Sequence, residues 1–176
     1  MFFSVKELEL KKVRFEVAFP PGEIEYDEGL QQSTPLEVRG SVELLAHTLG
    51  EIRIRGHLKV RIRSECDRCL EPADFPIDSD FDLFYRPDAR ADYQEEVEID
   101  QGESEIAFYE GEGIGLKDVL REYVLLSLPM QRICRDDCHG ICPNCGQNRN
   151  LANCGCEVKP VDDRWSVLKN LQTKGI

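Results

Sequence analysis

Eight cysteines constrain this chain more than any other feature of its sequence. They fall into four short groups, and two of these groups have the spacing Cys-x-x-Cys. Two cysteines separated by two residues can place both thiolates on one metal ion, and zinc prefers four such ligands in a tetrahedron. Eight thiolates therefore suit two four-sulfur zinc sites. The groups are Cys66 and Cys69, Cys134 and Cys138, Cys142 and Cys145, and Cys154 and Cys156.

The cellular compartment decides between metal ions and disulfides. No apolar run approaches the roughly 20 residues of a membrane helix, and the start of the chain, Met1 to Lys6, has no secretory signal pattern. We therefore expect a cytoplasmic protein without membrane contact. Disulfides rarely persist in that reducing compartment, so metal ligation explains the cysteines better.

Proximity along the chain predicts how the cysteines are shared. Residues 142–146 read Cys-Pro-Asn-Cys-Gly, which is typical of a zinc knuckle, because proline stiffens the turn and glycine lets the chain leave without a side-chain clash. His139 is an alternative ligand that eight thiolates make unnecessary. We name the two predicted sets site 1, with Cys66, Cys69, Cys134 and Cys138, and site 2, with Cys142, Cys145, Cys154 and Cys156.

The cysteines also have two other interpretations. A Cys-x-x-Cys pair can be a redox centre, but Cys66 and Cys69 lie at a predicted hairpin tip rather than at the start of a helix. A catalytic zinc keeps an open position and usually has histidine or carboxylate ligands, whereas a closed all-thiolate site is structural. We therefore predict structural zinc and no enzymatic activity.

Period-two hydrophobic patterns predict antiparallel strands through the first 85 residues. The third and fourth patterns flank Cys66 and Cys69, which predicts a long hairpin with the cysteines at its tip. A register that opposes Ile62 to Phe75 places apolar residues on one face. It also opposes Arg63 to Asp74, Lys59 to Asp78 and Arg55 to Asp82 on the other face, and opposite charges favour it. Registers shifted by two residues remain open.

The rest of the chain divides into a linker, two helices and a tail. Residues 88–112 form an acidic linker that we expect to be ordered only where Val97–Ile99 or Ile106–Phe108 docks on the sheet. Residues 115–128 have helical spacing, with Leu116, Val119, Leu120, Tyr123 and Leu126 facing the core and Pro129 ending the helix. A shorter helix is predicted around Trp165.

These elements predict an α+β fold, mainly antiparallel β-sheet with one long packing helix and a small C-terminal zinc-binding lobe. We expect a β-rich body over 1–129 and the cysteine-rich lobe with its terminal helix over 130–176. The net charge is −12, but residues 130–176 hold 7 basic and 5 acidic residues, so the tail is mildly positive. The overall charge argues against a simple nucleic-acid binder.

Several motifs, taken in order, resemble a known protein family. These motifs are residues 66–72 (Cys-Asp-Arg-Cys-Leu-Glu-Pro), the acidic linker, the helix ending at Pro129, the cysteine-rich tail with Asn150, and residues 162–171. Together they resemble the YceD-type large ribosomal RNA subunit accumulation proteins, in the cysteine-rich version of many bacteria. The resemblance implies a part in accumulation of large-subunit ribosomal RNA. It also implies that the tail metal is dispensable for the shared activity, because some members lack the full tail set.

Two partners follow from this resemblance. The first is ribosomal RNA or a large-subunit precursor, and the second is a basic ribosomal protein that the acidic body would escort. Basic residues at alternate positions from Arg53 to Arg63 line one strand face, but the predicted register neutralises most of them with aspartates, as on an ordinary solvated face. The RNA prediction therefore uses the cations that the register does not pair, or that lie near the zinc sites: Arg53, Arg61, Arg68, Arg132, Arg135 and Arg149.

Overall fold

The computed structural model describes residues 1–48, 50–88 and 106–156. Its strands are β1 (Phe2–Ser4), β2 (Val13–Phe19), β3 (Gln31–Gln32), β4 (Leu36–Leu44), β5 (Ile52–Glu65), β6 (Pro72–Pro87), β7 (Ile106–Tyr109) and β8 (Gly113–Gly115). Its helices are α1 (Val5–Leu10) and α2 (Leu116–Ser127). The fold is α+β with a mainly antiparallel sheet, as predicted. No helix in these described ranges is long and apolar enough to cross a membrane.

The main sheet has the order β2-β4-β5-β6-β7, and β3 pairs with β5 outside that path. All its pairings are antiparallel except that of β7, which runs parallel to β6. Strands β1 and β8 form a separate antiparallel pair. The docking of Ile106–Phe108 on the sheet is therefore confirmed, whereas Val97–Ile99 and the predicted helix around Trp165 lie outside the described residues.

The hairpin of β5 and β6 has the predicted register. Ile62 lies opposite Phe75, and Gly56 lies opposite Phe81. A Cβ at Gly56 would clash with the Arg39 carbonyl oxygen, so β4 and β5 approach closely there. Alternation along β5 buries its even-numbered residues up to the tip, except the half-buried Gly56, and turns the odd-numbered residues to solvent or partial exposure. The hairpin thus carries the cysteines to the far end of a rigid ribbon.

Helix α2 packs on the inner face of this sheet. Leu116, Val119, Leu120 and Val124 are buried, and the Tyr123 ring lies 5.3 Å from that of Phe81. The prediction that Leu126 also faces the core was wrong. Leu126 lies in the last turn, at the edge of the apolar stripe, and is 79% exposed.

The first ten residues form structure that the sequence analysis did not predict. The Ser4 side chain accepts a hydrogen bond from the Glu7 N–H and caps α1. Phe3 and Leu8 are buried in the same core as the sheet residues. The apolar residues of this segment are too few to show a helical or strand period. Their burial is therefore evident only from the tertiary contacts.

Candidate metal centres

Site 1 joins the hairpin tip to the segment that follows α2. Cys66 and Cys69 lie between β5 and β6, and Cys134 and Cys138 follow the end of the helix. Cys66, Cys69 and Cys138 are buried, and Ile133 packs against them, while Cys134 is exposed. This small cluster is separate from the main core.

The sulfur atoms of site 1 have the spacing of a metal tetrahedron. The Sγ atoms of Cys66 and Cys138 are 3.9 Å apart, and those of Cys69 and Cys134 are 3.7 Å apart. All four sulfur atoms lie within 4.8 Å of one another. A tetrahedron with metal–sulfur bonds of about 2.3 Å has sulfur–sulfur edges of about 3.8 Å. The four thiols are free of disulfides and fit a four-coordinate ion.

Backbone hydrogen bonds hold the two segments of site 1 together. The Asp67 N–H donates to the Arg132 carbonyl oxygen at 2.8 Å, and the Ile141 N–H donates to the Arg68 carbonyl oxygen at 2.9 Å. Asp67 also accepts the Arg132 N–H on Oδ2 at 2.6 Å. Because these bonds do not involve sulfur, they align the cysteines independently of a metal ion.

Site 2 is built from the tail alone. Cys142, Cys145, Cys154 and Cys156 place their sulfur atoms within 4.8 Å of one another. Only Cys142 is buried, since Cys145 and Cys156 are exposed and Cys154 is intermediate. The set can hold a metal ion, but with little protein around it.

The two Cys-x-x-Cys turns have the same backbone hydrogen bonds. In site 1 the Cys66 N–H donates to the carbonyl oxygen of Glu71, and the Leu70 N–H donates to the carbonyl oxygen of Cys66, both at 2.9 Å. In site 2 the Cys142 N–H donates to the carbonyl oxygen of Gln147, and the Gly146 N–H donates to the carbonyl oxygen of Cys142, both at 2.8 Å.

The residue after the second cysteine is left-handed in both turns. Leu70 has φ of 62° and Gly146 has φ of 74°. Glycine adopts this conformation readily, whereas leucine does so at a cost. The chain therefore contains two knuckles of one design, in agreement with the knuckle predicted at residues 142–146.

Amide groups directed at sulfur favour thiolates at both sites. At Cys66, burial raises the thiol pKa, but N–H groups of Cys69, Arg68 and Cys134 outweigh it and lower that pKa to about 6. At Cys142, the N–H groups of Cys145 and Asn144 lower the pKa to about 6. Thiolates are the form that binds metal ions.

The remaining thiols cannot all ionise beside these thiolates. Cys134 is exposed as a residue, but desolvation of its sulfur by the neighbouring groups, and then hydrogen bonding and repulsion from the other sulfur atoms, raise its pKa to about 12. Hydrogen bonding from Cys145 and Cys154 raises the pKa of Cys156 to about 12. A cation placed among four sulfur atoms removes this repulsion and allows every ligand to deprotonate. The charge pattern therefore suits a divalent ion.

Asn150 supports site 1 from the site 2 loop. Its Nδ2 donates to the Cys138 sulfur at 3.3 Å, which lowers the Cys138 pKa, and its Oδ1 accepts the His139 N–H at 2.8 Å. Asn150 belongs to the family motif, but its sequence position predicts no role for it. Only its polar side chain and its position near a cysteine pair could have indicated this role from the sequence. His139 itself is exposed and belongs to neither sulfur set.

The six arginines predicted to contact RNA differ in the contacts that their side chains make within the protein. Arg53 was expected to be unpaired, and this was wrong: it donates from Nε to Asp82 Oδ1 at 2.8 Å and stacks on Phe84. Asp82 therefore pairs diagonally with Arg53 rather than with Arg55, which lies directly opposite. The expected pairs of Arg63 with Asp74 and Lys59 with Asp78 are present.

The other candidates lie near the hairpin tip and the tail. Arg132 contacts Asp67 and donates to Ser64, and Arg135 contacts Asp137. Arg68, which was also expected to be unpaired, donates to the Cys138 carbonyl oxygen at 3.3 Å. Among the described residues, Arg61, Arg68 and Arg149 are in no ion pair, so the charge of Arg68 is unpaired as expected. RNA binding by all six arginines stays a prediction.

Comparison with protein families gives one match over most of the chain. Residues 54–172 match the profile described as large ribosomal RNA subunit accumulation protein YceD. This range includes both sulfur sets and the β5–β6 hairpin, but not β1 to β4.

Individual relatives match a similar share of the chain. An uncharacterised protein of Mycobacterium tuberculosis and one of Mycobacterium bovis are each 30% identical over 118 residues, or 66% of this chain and 54% of theirs. A Zea mays protein, large ribosomal RNA subunit accumulation protein YCED homolog 1, chloroplastic, is 27% identical over 156 residues, or 75% of this chain and 51% of its own. The chain thus spans about half the length of these relatives. No solved structure gives a significant match.

Proposed function

Because the chain belongs to the YceD family of large ribosomal RNA subunit accumulation proteins, we propose that it is a non-enzymatic, zinc-binding accessory factor in ribosome production. It would act in the cytoplasm, in contact with ribosomal RNA or a large-subunit precursor. The observation that carries this proposal is that the family match runs through residues 54–172 and so includes all eight cysteines.

Zinc is the proposed metal because both sites offer four sulfur ligands and no oxygen ligand. Thiolates select soft or borderline ions, and a tetrahedral all-sulfur set suits zinc. A closed site of this kind has no open position for a substrate, so its contribution is structural. Site 1 would cross-link the hairpin tip to the lobe, and site 2 would fold the tail. The division into a body (1–129) and a lobe (130–176) is part of this proposal.

A second candidate function rests on the net charge of −12. An acidic body suits the escort of a basic ribosomal protein, since charge complementarity speeds association and selects the partner. Affinity purification with and without ribonuclease distinguishes the two functions. Loss of ribosomal proteins and precursor particles after digestion supports the RNA-linked function, whereas retention of one basic ribosomal protein supports the escort.

A genetic experiment tests the accumulation role itself. In cells that lack the gene, we expect the ratio of large- to small-subunit ribosomal RNA to fall, and the wild-type gene to restore it. A variant with all four site 1 cysteines changed to serine should restore the ratio less than the wild-type gene does. An unchanged ratio after gene deletion would contradict the proposed function.

A further inference from the structure

The outer face of the sheet carries two kinds of cations. On the β5–β6 side, aspartates of β6 neutralise several basic residues of β5: Arg53 contacts Asp82, and Arg63 contacts Asp74 at 2.9 Å. His57 lies between two carboxylates, with Nε2 3.0 Å from Asp78 and Nδ1 2.9 Å from Asp80. These contacts leave little free positive charge on that side.

Across β2, β4 and β5 the situation is different. Arg14, Arg39 and Arg55 are all exposed and point to the outer face. None of them is in an ion pair with any residue in the described ranges. Arg55 acts on Glu43 and Asp82 only at longer range, and those carboxylates are already bonded to Lys12 and Arg53.

The sheet register places these three arginines in a triangle. Arg14 and Arg55 flank Ser41 in one row across three strands, which puts their Cα atoms about 10 Å apart. Arg39 lies two residues along β4 from Ser41, about 8 Å from each of the others. The triangle borders a shallow groove of about 910 Å³.

The charge balance of this groove is positive once bonded groups are set aside. Its lining includes the acidic residues Glu16, Asp80 and Asp82. Asp80 is bonded to His57, and Asp82 is bonded to Arg53. Glu16 opposes Arg39 in the register but forms no ion pair with it within the described residues. A histidine cancels a carboxylate charge only when it is protonated, so Asp80 is counted as negative together with Glu16. Three guanidinium groups that form no ion pair among the described residues therefore face two carboxylates, and the balance stays positive.

We propose that Arg14, Arg39 and Arg55 form a surface that binds the phosphate backbone of RNA. Guanidinium groups bind phosphate oxygens through paired N–H donors, and a row of cations along a groove follows a nucleic-acid strand. The proposal rests on the proposed RNA-linked function and adds the binding surface to it. Arg14 and Arg39 precede the family-matched residues, so this surface is a property of this chain rather than of the family profile.

Salt-dependent RNA binding tests the proposal. The variant has Arg14→Gln, Arg39→Gln and Arg55→Gln in the full-length zinc-loaded protein. The control has Lys6→Gln, Lys11→Gln and Lys117→Gln, which removes the same charge from α1, from the residue that ends it and from α2. Binding to a 20-nucleotide uridine homopolymer and to a large-subunit ribosomal RNA fragment is measured at several salt concentrations.

Phosphate contact predicts a distinct result for the arginine variant. The slope of log affinity against log salt should shrink by about 2, since each contact with single-stranded RNA contributes about 0.7. Affinity at low salt should fall about tenfold or more for both RNAs, because phosphate contacts carry no sequence information. The control should behave like the wild type. The thermal midpoint of the arginine variant should be unchanged, because these side chains form no ion pair within residues 1–48, 50–88 and 106–156.

Three outcomes would overturn the proposal, and they have different consequences. If the arginine variant binds like the wild type, the surface is wrong while the proposed function stands. If both variants weaken equally, net charge explains the binding and the triangle does not. If the wild type binds neither RNA even at low salt, both the surface and the RNA contact in the proposed function are wrong.

Discussion

The two sulfur centres use the same knuckle for different structural tasks. Site 1 brings together residues that lie 65 and 72 positions apart in the chain, whereas site 2 closes within residues 142–156. Three of the four site 1 cysteines are buried, but only one is buried in site 2. One local motif can therefore fasten distant elements or fold a short loop, depending on where its partner cysteines lie.

This difference has an energetic consequence. A cross-link that closes a long loop removes more entropy from the unfolded chain than one that closes a short loop. Site 1 also carries the hydrogen bonds between the hairpin tip and the lobe, including the bond from the Asp67 N–H to Arg132. We therefore expect site 1 to contribute to the stability of the whole body and site 2 to contribute locally.

The largest expected effect comes from Cys69→Ser compared with Cys145→Ser, the second cysteine of each knuckle. Both variants should lose one zinc ion. Cys69→Ser should lower the stability of the body by about 4 kcal/mol, as for a cross-link over a 65-residue loop, or about 10 °C in the thermal midpoint. Cys145→Ser should change that midpoint by about 3 °C or less. Circular dichroism of the β-sheet signal measures both.

A chelator provides the control for this comparison. After zinc removal, the two variants and the wild type should unfold at similar temperatures, because the missing cross-link is then common to all. Equal losses from the two variants in the presence of zinc would show that the centres do not differ in their structural task.

A smaller effect is expected at Asn150, which connects the site 2 loop to a site 1 ligand. Asn150→Ala removes the donor to the Cys138 sulfur and leaves all eight cysteines in place. Loss of such a supporting group typically weakens metal binding about 10- to 100-fold. Competition with a chromogenic chelator should show one of the two zinc ions leaving more easily. The exposed Asn153→Ala serves as the control, and equal zinc affinities in both variants would refute the role.

The pH dependence of the zinc-free protein separates the centres further. Folding lowers the pKa of Cys66 from 9.0 to about 6, so between these values the unfolded chain binds more protons. Stability of the body should therefore rise from pH 6 to pH 9 and be lost as the pH falls through 6. Cys134, with its raised pKa, would oppose this only above pH 9.

Variants assign this pH effect to one centre. The rise of the thermal midpoint between pH 6 and pH 9 should disappear in Cys66→Ser and persist in Cys142→Ser, although folding lowers the pKa of both thiols. A rise that survives in Cys66→Ser would contradict the assignment to site 1.

The smallest effect is expected at the left-handed position of the site 1 knuckle. Leu70→Gly relieves about 1–2 kcal/mol of backbone strain but loses about 0.5–1 kcal/mol in the entropy of the unfolded chain. The net gain should be below about 1.5 kcal/mol, whereas Gly146→Ala should weaken site 2. Urea denaturation and zinc affinity measure the two effects, and a loss of stability in Leu70→Gly would contradict the strain argument.

The strands that position site 1 could be predicted because their signals are local. Alternation in β5 and β6 excluded a shift by one residue, which would have turned apolar residues to solvent. Opposite-charge pairs such as Arg63 and Asp74 favoured one of the remaining registers, and the structure has that register. The fold class and the hairpin tip follow from that register. The proximity of cysteines in the chain likewise predicted the two sets of sulfur atoms that the structure brings together.

Other features depend on tertiary contacts and could not be predicted. The diagonal pairing of Arg53 with Asp82 depends on side-chain reach rather than on register. The role of Asn150 requires the tail to fold back on Cys138, and the burial of Phe3 and Leu8 requires the sheet to be present. The unpaired Arg14 and Arg39 stand out only when the strands are placed side by side.

The most direct measurement is zinc content together with zinc X-ray absorption, on protein purified without chelators. Two zinc ions per chain, each with four sulfur neighbours at about 2.3 Å, are predicted for the wild type. In Cys69→Ser, one ion with unchanged four-sulfur coordination should remain. One ion or none in the wild type, oxygen or nitrogen neighbours, or cysteines bonded as disulfides would contradict the account.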